Sequence, residues 1–288
     1  MEKKPEWLKV GYSPSVVNQM NEMFSGLKLN TVCNEANCPN RHECYEKHTA
    51  TFLIMGANCT RHCRFCNVSK NCATPLDPDE PANVALAAKQ MGLRHVVITS
   101  VTRDDLPDGG AEHFARVTTA IRATLPEATI ELLIPDLQGN ADALRIVTDA
   151  KPDILAHNLE TVPSLYEEVR PEASYKQSLW VLSEAKRLSP DIITKSGIMV
   201  GLGETEEEIY ALFDDAAAAG CDIMTVGQYL RPTKEHLPVK EYVHPDIFEK
   251  YRLEGMARGI RYVYSAPLVR SSYNAKEALD ALLSLRAQ

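Results

Sequence analysis

From residue 51 onward, short apolar runs alternate with stretches whose apolar positions recur at helical spacing. TFLIMG (51–56), RHVVITSV (94–101), TIELLIP (129–135), DILAHNLE (153–160), a run within DIITKSGIMVGLG (191–203) and DIMTVGQYL (222–230) read as six strands. Between them PANVALAAKQMG (81–92), AEHFARVTTAIRATL (111–125), NADALRIVTDA (140–150), YKQSLWVLSEAKRL (175–188) and TEEEIYALFDDAAAAG (205–220) read as helices. The last opens on a capping box, Thr205 to Glu208, and closes on Gly220. The strands are continuous apolar runs, as expected when helices cover both faces. Alternation of this kind predicts a parallel sheet with right-handed crossovers. Periodicity leaves a doubly wound sheet and a partial or full barrel both open. A loop follows residue 231, then a helix over 246–258, the segment YVYSAP, and a terminal helix near 275–285. Residues 1–50 are polar and irregular, with no evident strand.

At 288 residues and 44% hydrophobic, the chain can bury a large α/β core. Its net charge of −8 argues against nucleic acid as the main partner, because phosphate binding needs a clustered basic surface. No run of about 18 apolar residues is present, so no membrane span is expected. The start, MEKKPEWLKVGYSPS, has no apolar core of a secretory signal, and a cytoplasmic location is expected.

Seven of the eight cysteines fall between Cys33 and Cys72. A disulfide framework suits small secreted domains; clustered cysteines in an intracellular chain more often hold metal or do redox chemistry. Cys59, Cys63 and Cys66 follow the first strand at C-x3-C-x2-C, where parallel α/β folds place ligand sites. Zinc usually takes four protein ligands in two separated pairs. Three close thiolates suit a 4Fe–4S cluster with one iron left open to a small molecule.

This motif, with Phe65 as its aromatic position, resembles the signature of radical S-adenosylmethionine (SAM) enzymes. The resemblance implies that the open iron chelates SAM, that one electron cleaves it, and that the resulting 5′-deoxyadenosyl radical abstracts hydrogen. It also implies an α/β fold, a partial (β/α)6 barrel of the TIM type. By motif it assigns SAM contacts to Phe65, Asp108, Gly109 and Gly110. In this family a Glu follows the two glycines; here Ala111 stands there, so no side-chain contact is implied at that position. GIMVGLGE (197–204) resembles a family segment near the adenine. Asn158, Glu160, Arg170 and Lys195, polar residues read as strand-end groups, are further SAM candidates.

Cys33, Cys38 and Cys44 form a second triplet, C-x4-C-x5-C. A zinc site completed by His42 or His48 is one reading. The triplet also resembles the auxiliary-cluster motif of the lipoyl synthase family, together with PEWLKV, TSVTRDDLPDGGA, PDLQG, HNLETV, QYLRPT and PLVRSSY, which run from residue 5 to residue 273. The resemblance implies a second 4Fe–4S cluster whose fourth ligand is a serine of Arg270-Ser271-Ser272-Tyr273. It points to Ser272; residue chemistry alone leaves Ser271 open. The implied activity is insertion of two sulfurs, taken from that cluster, at C6 and C8 of an octanoyl-lysine. The implied partners are octanoylated carrier domains, namely 2-oxoacid dehydrogenase E2 subunits and the glycine cleavage H protein, with an external electron donor. Residues 1–50 would carry the auxiliary cluster, 51–264 the barrel, and 265–288 a short C-terminal extension, with both ends of the chain meeting at the barrel mouth. Another sulfur-inserting radical enzyme and a non-catalytic iron–sulfur or zinc protein are the competing readings. Cys72 reads as a bystander and Cys221 as a small buried hydrophobe.

Overall fold

The computed structural model describes residues 4–11, 14–47, 49–275, 277, 279 and 280. The elements are α1 (Pro14–Gly26), β1 (Asn30–Thr31), α2 (Val32–Glu35), α3 (Arg41–Glu46), β2 (Thr51–Ile54), α4 (Glu80–Gln90), β3 (His95–Ser100), α5 (Ala111–Thr124), β4 (Thr129–Leu133), α6 (Ala141–Asp149), β5 (Ile154–Ala156), α7 (Tyr166–Val169), α8 (Tyr175–Leu188), β6 (Ile193–Val200), α9 (Glu206–Ala218), β7 (Ile223–Gln228), α10 (Pro245–Ala257) and β8 (Tyr262–Ser265).

Among the described residues one eight-stranded sheet runs in chain order, β1 to β8. Strands β2 to β8 are parallel, and β1 is antiparallel to β2. A doubly wound sheet reverses its strand order at a switch point. Here there is no reversal, and no pairing joins β1 to β8, so the sheet is an open, partial barrel.

The six strands expected from the apolar runs are β2 to β7. The run at 153–160 ends early, at Ala156; Glu160 has φ +65 and touches β6 only through a bridge to Ile198. The expectation that residues 1–50 lack a strand is corrected by β1, where Asn30 and Thr31 pair with Leu53 and Phe52. Two residues carry no periodic signal; packing fixes this strand. Phe24 of α1 meets Tyr45 and Phe52 edge-on or tilted, at 6.0 and 6.1 Å. At the far edge YVYSAP supplies β8. The expected helix at 275–285 lies partly outside the described residues; 275, 277, 279 and 280 are helical.

Alternation along each strand sorts residues between helices and barrel interior. Ile98, Ile130, Leu132 and Leu155 face the helices with no exposed surface, each contributing about 1.5–3 kcal/mol by burial. Ile198, Val200, Met224 and Val226 pack likewise against Ile209 and Leu212 of α9.

The interior is polar near its floor. His95, Glu131 and Lys195, from β3, β4 and β6, are all buried there. Lys195 Nζ lies 2.8 and 3.1 Å from the two Glu131 carboxylate oxygens, and His95 Nε2 is 3.3 Å from Oε2. Burial opposes charge on Glu131, yet Lys195 and His95 hold its carboxyl below the usual range. Lys195→Met strands that carboxylate and is expected to lower stability by about 3–5 kcal/mol in denaturant unfolding, with much of the loss recovered on adding Glu131→Leu.

Candidate active site

The loop after β2 leaves the strand through two left-handed residues, Met55 (φ +67) and Gly56 (φ +89). The Met55 amide donates to Glu80 Oε2 (2.8 Å), and Arg103 Nη1 donates to the Met55 carbonyl (3.3 Å). Gly110 (φ +91) lies under the Met55 side chain; a Cβ there would stand 2.2 Å from Sδ. Beyond that pivot nearly every residue is tied down. Cys59 N donates to Ser69 O (2.8 Å) and Thr60 N to Thr102 O (3.1 Å). Arg61 makes paired hydrogen bonds to both Asp104 and Asp136. The His62 amide and ring meet Glu172, Arg64 N donates to Val169 O, and the His236 ring reaches the Cys66 carbonyl at 3.0 Å. The loop is thereby fastened to the segments that follow β3, β4, α7 and β7.

Cys59, Cys63 and Cys66 are each half-buried on this loop. Burial pushes the Cys63 thiol up and the Cys66 thiol up to about 12. Positive charge from a metal is what makes such thiols thiolates. The Thr102 amide already donates to Cys59 Sγ (3.3 Å). Phe65 packs into a small core with Val169, Leu202, Tyr229 and Leu237.

Beside the loop a cavity of ≈ 130 Å³ opens at the strand ends. Thr99, Ser100 and Thr102 line it from the end of β3 and the loop after it, Leu133 to Pro135 from the end of β4 and just beyond, and His157, Asn158, Glu160 and Arg170 from the segment after β5. Three buried polar atoms on its wall have no partner among the described residues: Ser100 Oγ, Asn158 Oδ1 and Arg170 Nε. Other atoms of these groups are fixed. Asn158 Nδ2 donates to Glu160 Oε1 (2.9 Å), and Arg170 Nη1 donates to the Asn158 and Leu159 carbonyls (2.9 and 3.3 Å). Gly197 makes room, since a Cβ there would lie 3.2 Å from Asn158 Oδ1 and 2.5 Å from Thr225 Oγ1. A buried guanidinium, an amide oxygen, a hydroxyl and a carboxylate in one cavity suit a ligand with carboxylate, amine and ribose groups. The donor set therefore fits SAM, and the three adjacent thiols fit its cluster.

Of the expected SAM residues, Asn158, Glu160 and Arg170 converge here. Asp108 does not: its carboxylate accepts from the Gly110 and Glu112 amides (3.0 and 2.8 Å) at the start of α5. Gly109 and Gly110 pack against Leu137 and Met55. Lys195 is spent on Glu131 at the floor. Ser100, Thr102 and His157 were not anticipated; the polar stretch TSVT (99–102) directly after an apolar run is the signal that marks two of them.

The first cysteine triplet lies on the segment before β2. The Thr31 hydroxyl accepts from Asn34 N (3.3 Å) and caps α2, which carries buried Cys33. Cys44 lies on α3, and Cys38 N donates to Cys33 O (3.1 Å). Burial pushes Cys33 and Cys44 up to about 12. Asn67 Nδ2, one residue past Cys66, donates to Glu35 O (2.8 Å) and joins the two cysteine segments. Asn40 Nδ2 donates to Leu268 O (2.6 Å), and Tyr273 donates to Glu43 (3.0 Å). These bonds bring the RSSY turn to the first triplet. Ser271 and Ser272 are half-buried there, and among the described residues neither hydroxyl hydrogen-bonds. Three thiols beside two unengaged hydroxyls fit a cluster with one oxygen ligand. Among the described residues neither cysteine triplet, nor any other three Cys, His, Asp or Glu side chains, converges on a single metal-ion position; His48 lies outside them. Cys72 is exposed, and Cys221 is buried with its thiol on the Ile223 carbonyl (3.1 Å).

His157 is fully enclosed, with Nδ1 2.8 Å from the Ile134 carbonyl and Nε2 3.0 Å from Ser178 Oγ. Burial, helped by the Arg170 charge, lowers its pKa to about 4. Protonation therefore favours the unfolded chain: the stability held by neutral His157 is complete above about pH 6.5 and is lost as pH falls toward 4. His157→Gln is expected to flatten about 3 kcal/mol of the stability decline across that window, read by unfolding at stepped pH.

Residues 53–216 match the radical SAM superfamily. The chain is 54% identical to a lipoyl synthase of Alkaliphilus metalliredigens over 281 residues, 97% of each chain. It is 53% identical to one from Nitratidesulfovibrio vulgaris over 99% of this chain and 95% of the relative. In fold it is similar to methylornithine synthase (TM-score 0.58, 15% identity, 97% of this chain and 90% of that one). It is also similar to Streptococcus suis SuiB bound to S-adenosylmethionine (0.58, 14%, 87% and 60%). No helix of the described residues is long and apolar enough to cross a membrane. With this identity along nearly the whole chain, and two thiol triplets at one barrel mouth, the chain belongs to the lipoyl synthase family of radical SAM enzymes.

Proposed function

We propose that the chain inserts sulfur at C6 and C8 of an octanoyl chain amide-linked to a lysine of a carrier domain, giving the lipoyl group. In this reading Cys59, Cys63 and Cys66 hold the 4Fe–4S cluster that binds SAM. Cys33, Cys38, Cys44 and Ser272 hold a second cluster, which is a substrate: its sulfide leaves with the product. The observation that supports this most is the Asn67–Glu35 hydrogen bond, which keeps the two cysteine segments in contact at one mouth.

C6 and C8 carry no acidic proton, so no general base in the barrel is able to activate them. The bound cofactor supplies a primary carbon radical able to take such a hydrogen. The protein's task is position and exclusion of water. Arg170 and the Asn158–Glu160 pair bind and orient the ligand at the strand ends. Arg61, locked to Asp104 and Asp136, holds the cysteine loop at fixed height over them. Burial raises the pKa of Glu160, while the Arg170 charge and the Asn158 hydrogen bond oppose that rise. The segments before β2 and after β8 meet at the mouth from opposite ends of the chain, where the residues of the first triplet and the RSSY serine would hold the sulfur-donating cluster. Residues 1–50, 51–264 and 265–288 serve as cluster arm, barrel and closing turn. The partners are octanoylated E2 subunits and H protein, with a cytoplasmic electron donor.

Anaerobically reconstituted protein is expected to hold about eight irons, two clusters of four. Replacing Cys33, Cys38 and Cys44 by Ala should leave about four irons. That variant should still cleave SAM to 5′-deoxyadenosine while giving no thiolated octanoyl-lysine peptide. Replacing Cys59, Cys63 and Cys66 should abolish SAM cleavage itself. Thiolated product from the first variant contradicts the assignment.

A further inference from the structure

Among the described residues, the arginine of the RSSY turn has no anionic side-chain partner. Gly227 ends the inner face of β7, and a Cβ there would lie 2.1 Å from the Val269 carbonyl oxygen and 3.2 Å from Arg270 Nη1. Glycine at that position gives the turn its seat. Arg270 Nη1 donates to Val269 O (2.6 Å), and among the described residues no carboxylate pairs with the guanidinium. This contrasts with Arg61, held by Asp104 and Asp136, and Arg103, held by Asp105. The neighbouring charge is Lys4, whose ammonium is lowered by burial and by Arg270. Of the first triplet, Cys38 is the residue whose side chain lies within electrostatic reach of Arg270. Asn40, two residues past Cys38, is bonded to Leu268, two residues before Arg270, so the turn is fixed against the first triplet.

Two cations repel each other when nothing lies between them, and partial burial raises that cost. The arrangement becomes favourable when an anion is added at the thiols. A 4Fe–4S core ligated by three thiolates and a serine oxygen is such an anion. We propose that Arg270 is the counter-charge of the cluster held by Cys33, Cys38 and Cys44, a positioning residue that sets the potential of that cluster and keeps it bound until its sulfide is transferred. This rests on the cluster assignment of the preceding section. Lys4 adds to the same field from farther out.

The test uses the full chain with Cys59, Cys63 and Cys66 replaced by Ala, so that one cluster remains. Its reduced fraction is followed by electron paramagnetic resonance during a redox titration. Arg270→Gln removes positive charge and is expected to lower the ratio of reduced to oxidised cluster about tenfold at a given potential, about 59 mV for a one-electron couple. Arg270→Lys should stay near the parent, and Lys4→Gln should shift the same way by less. An unchanged potential in Arg270→Gln, or an equal shift in Arg270→Lys, overturns the proposal. Should Arg270→Gln fail to retain iron, normal loading of Arg270→Lys supports a role for charge, and loss in both variants overturns it. A parent variant that binds no iron overturns the cluster assignment as well, which separates the two failures.

Discussion

The arrangement depends on hydrogen bonds that hold two short cysteine segments and one serine-bearing turn against each other at the open end of the barrel. Asn67 to Glu35 joins the segments, Asn40 to Leu268 joins the first of them to the C-terminal turn, and Tyr273 to Glu43 repeats that tie. Each is worth about 0.5–1.5 kcal/mol net. Their effect is geometric: residues more than two hundred positions apart in the chain form one rim. A radical generated at one place and a sulfide stored at another are useful to each other only if the distance between them is fixed.

The barrel provides the rigid base for that rim. The segments after β3, β4, α7 and β7 each fasten the loop that carries Cys59, Cys63 and Cys66, and the heaviest fastening is the Arg61 pairing with two carboxylates. Underneath, the interior closes with the buried Lys195–Glu131–His95 group. Such a group adds little net stability over apolar packing but tolerates no missing partner. Polar chemistry is thus layered: a satisfied floor, a wall with unsatisfied atoms at Ser100, Asn158 and Arg170, and thiols above.

The legible and illegible parts of this protein divide along physical lines. Strands β2 to β7 were readable because both faces are covered, which leaves unbroken apolar runs. β1 was not, because two residues beside Phe52 form a strand only through tertiary packing. The cysteines were readable because cluster ligation demands thiols at short spacing. Lys195 misled because alternation places it on the inner face, but near the start of β6, at the end of the barrel away from ligands. Asp108 was ambiguous because a carboxylate before a helix serves equally well as a cap, the role its side chain takes at α5. His157 escaped notice because one histidine in an apolar strand run gives no sign of whether it faces a cavity.

The central claim is that the sulfur in the product comes from the protein's own first cluster. The most direct measurement loads the enzyme with ³⁴S-labelled sulfide, removes free sulfide, and runs one turnover on an octanoyl-lysine peptide with SAM and a reductant in unlabelled buffer. The account predicts a product whose two added sulfurs are both ³⁴S by mass spectrometry. A product carrying only unlabelled sulfur, made while the labelled clusters stay intact, would contradict it.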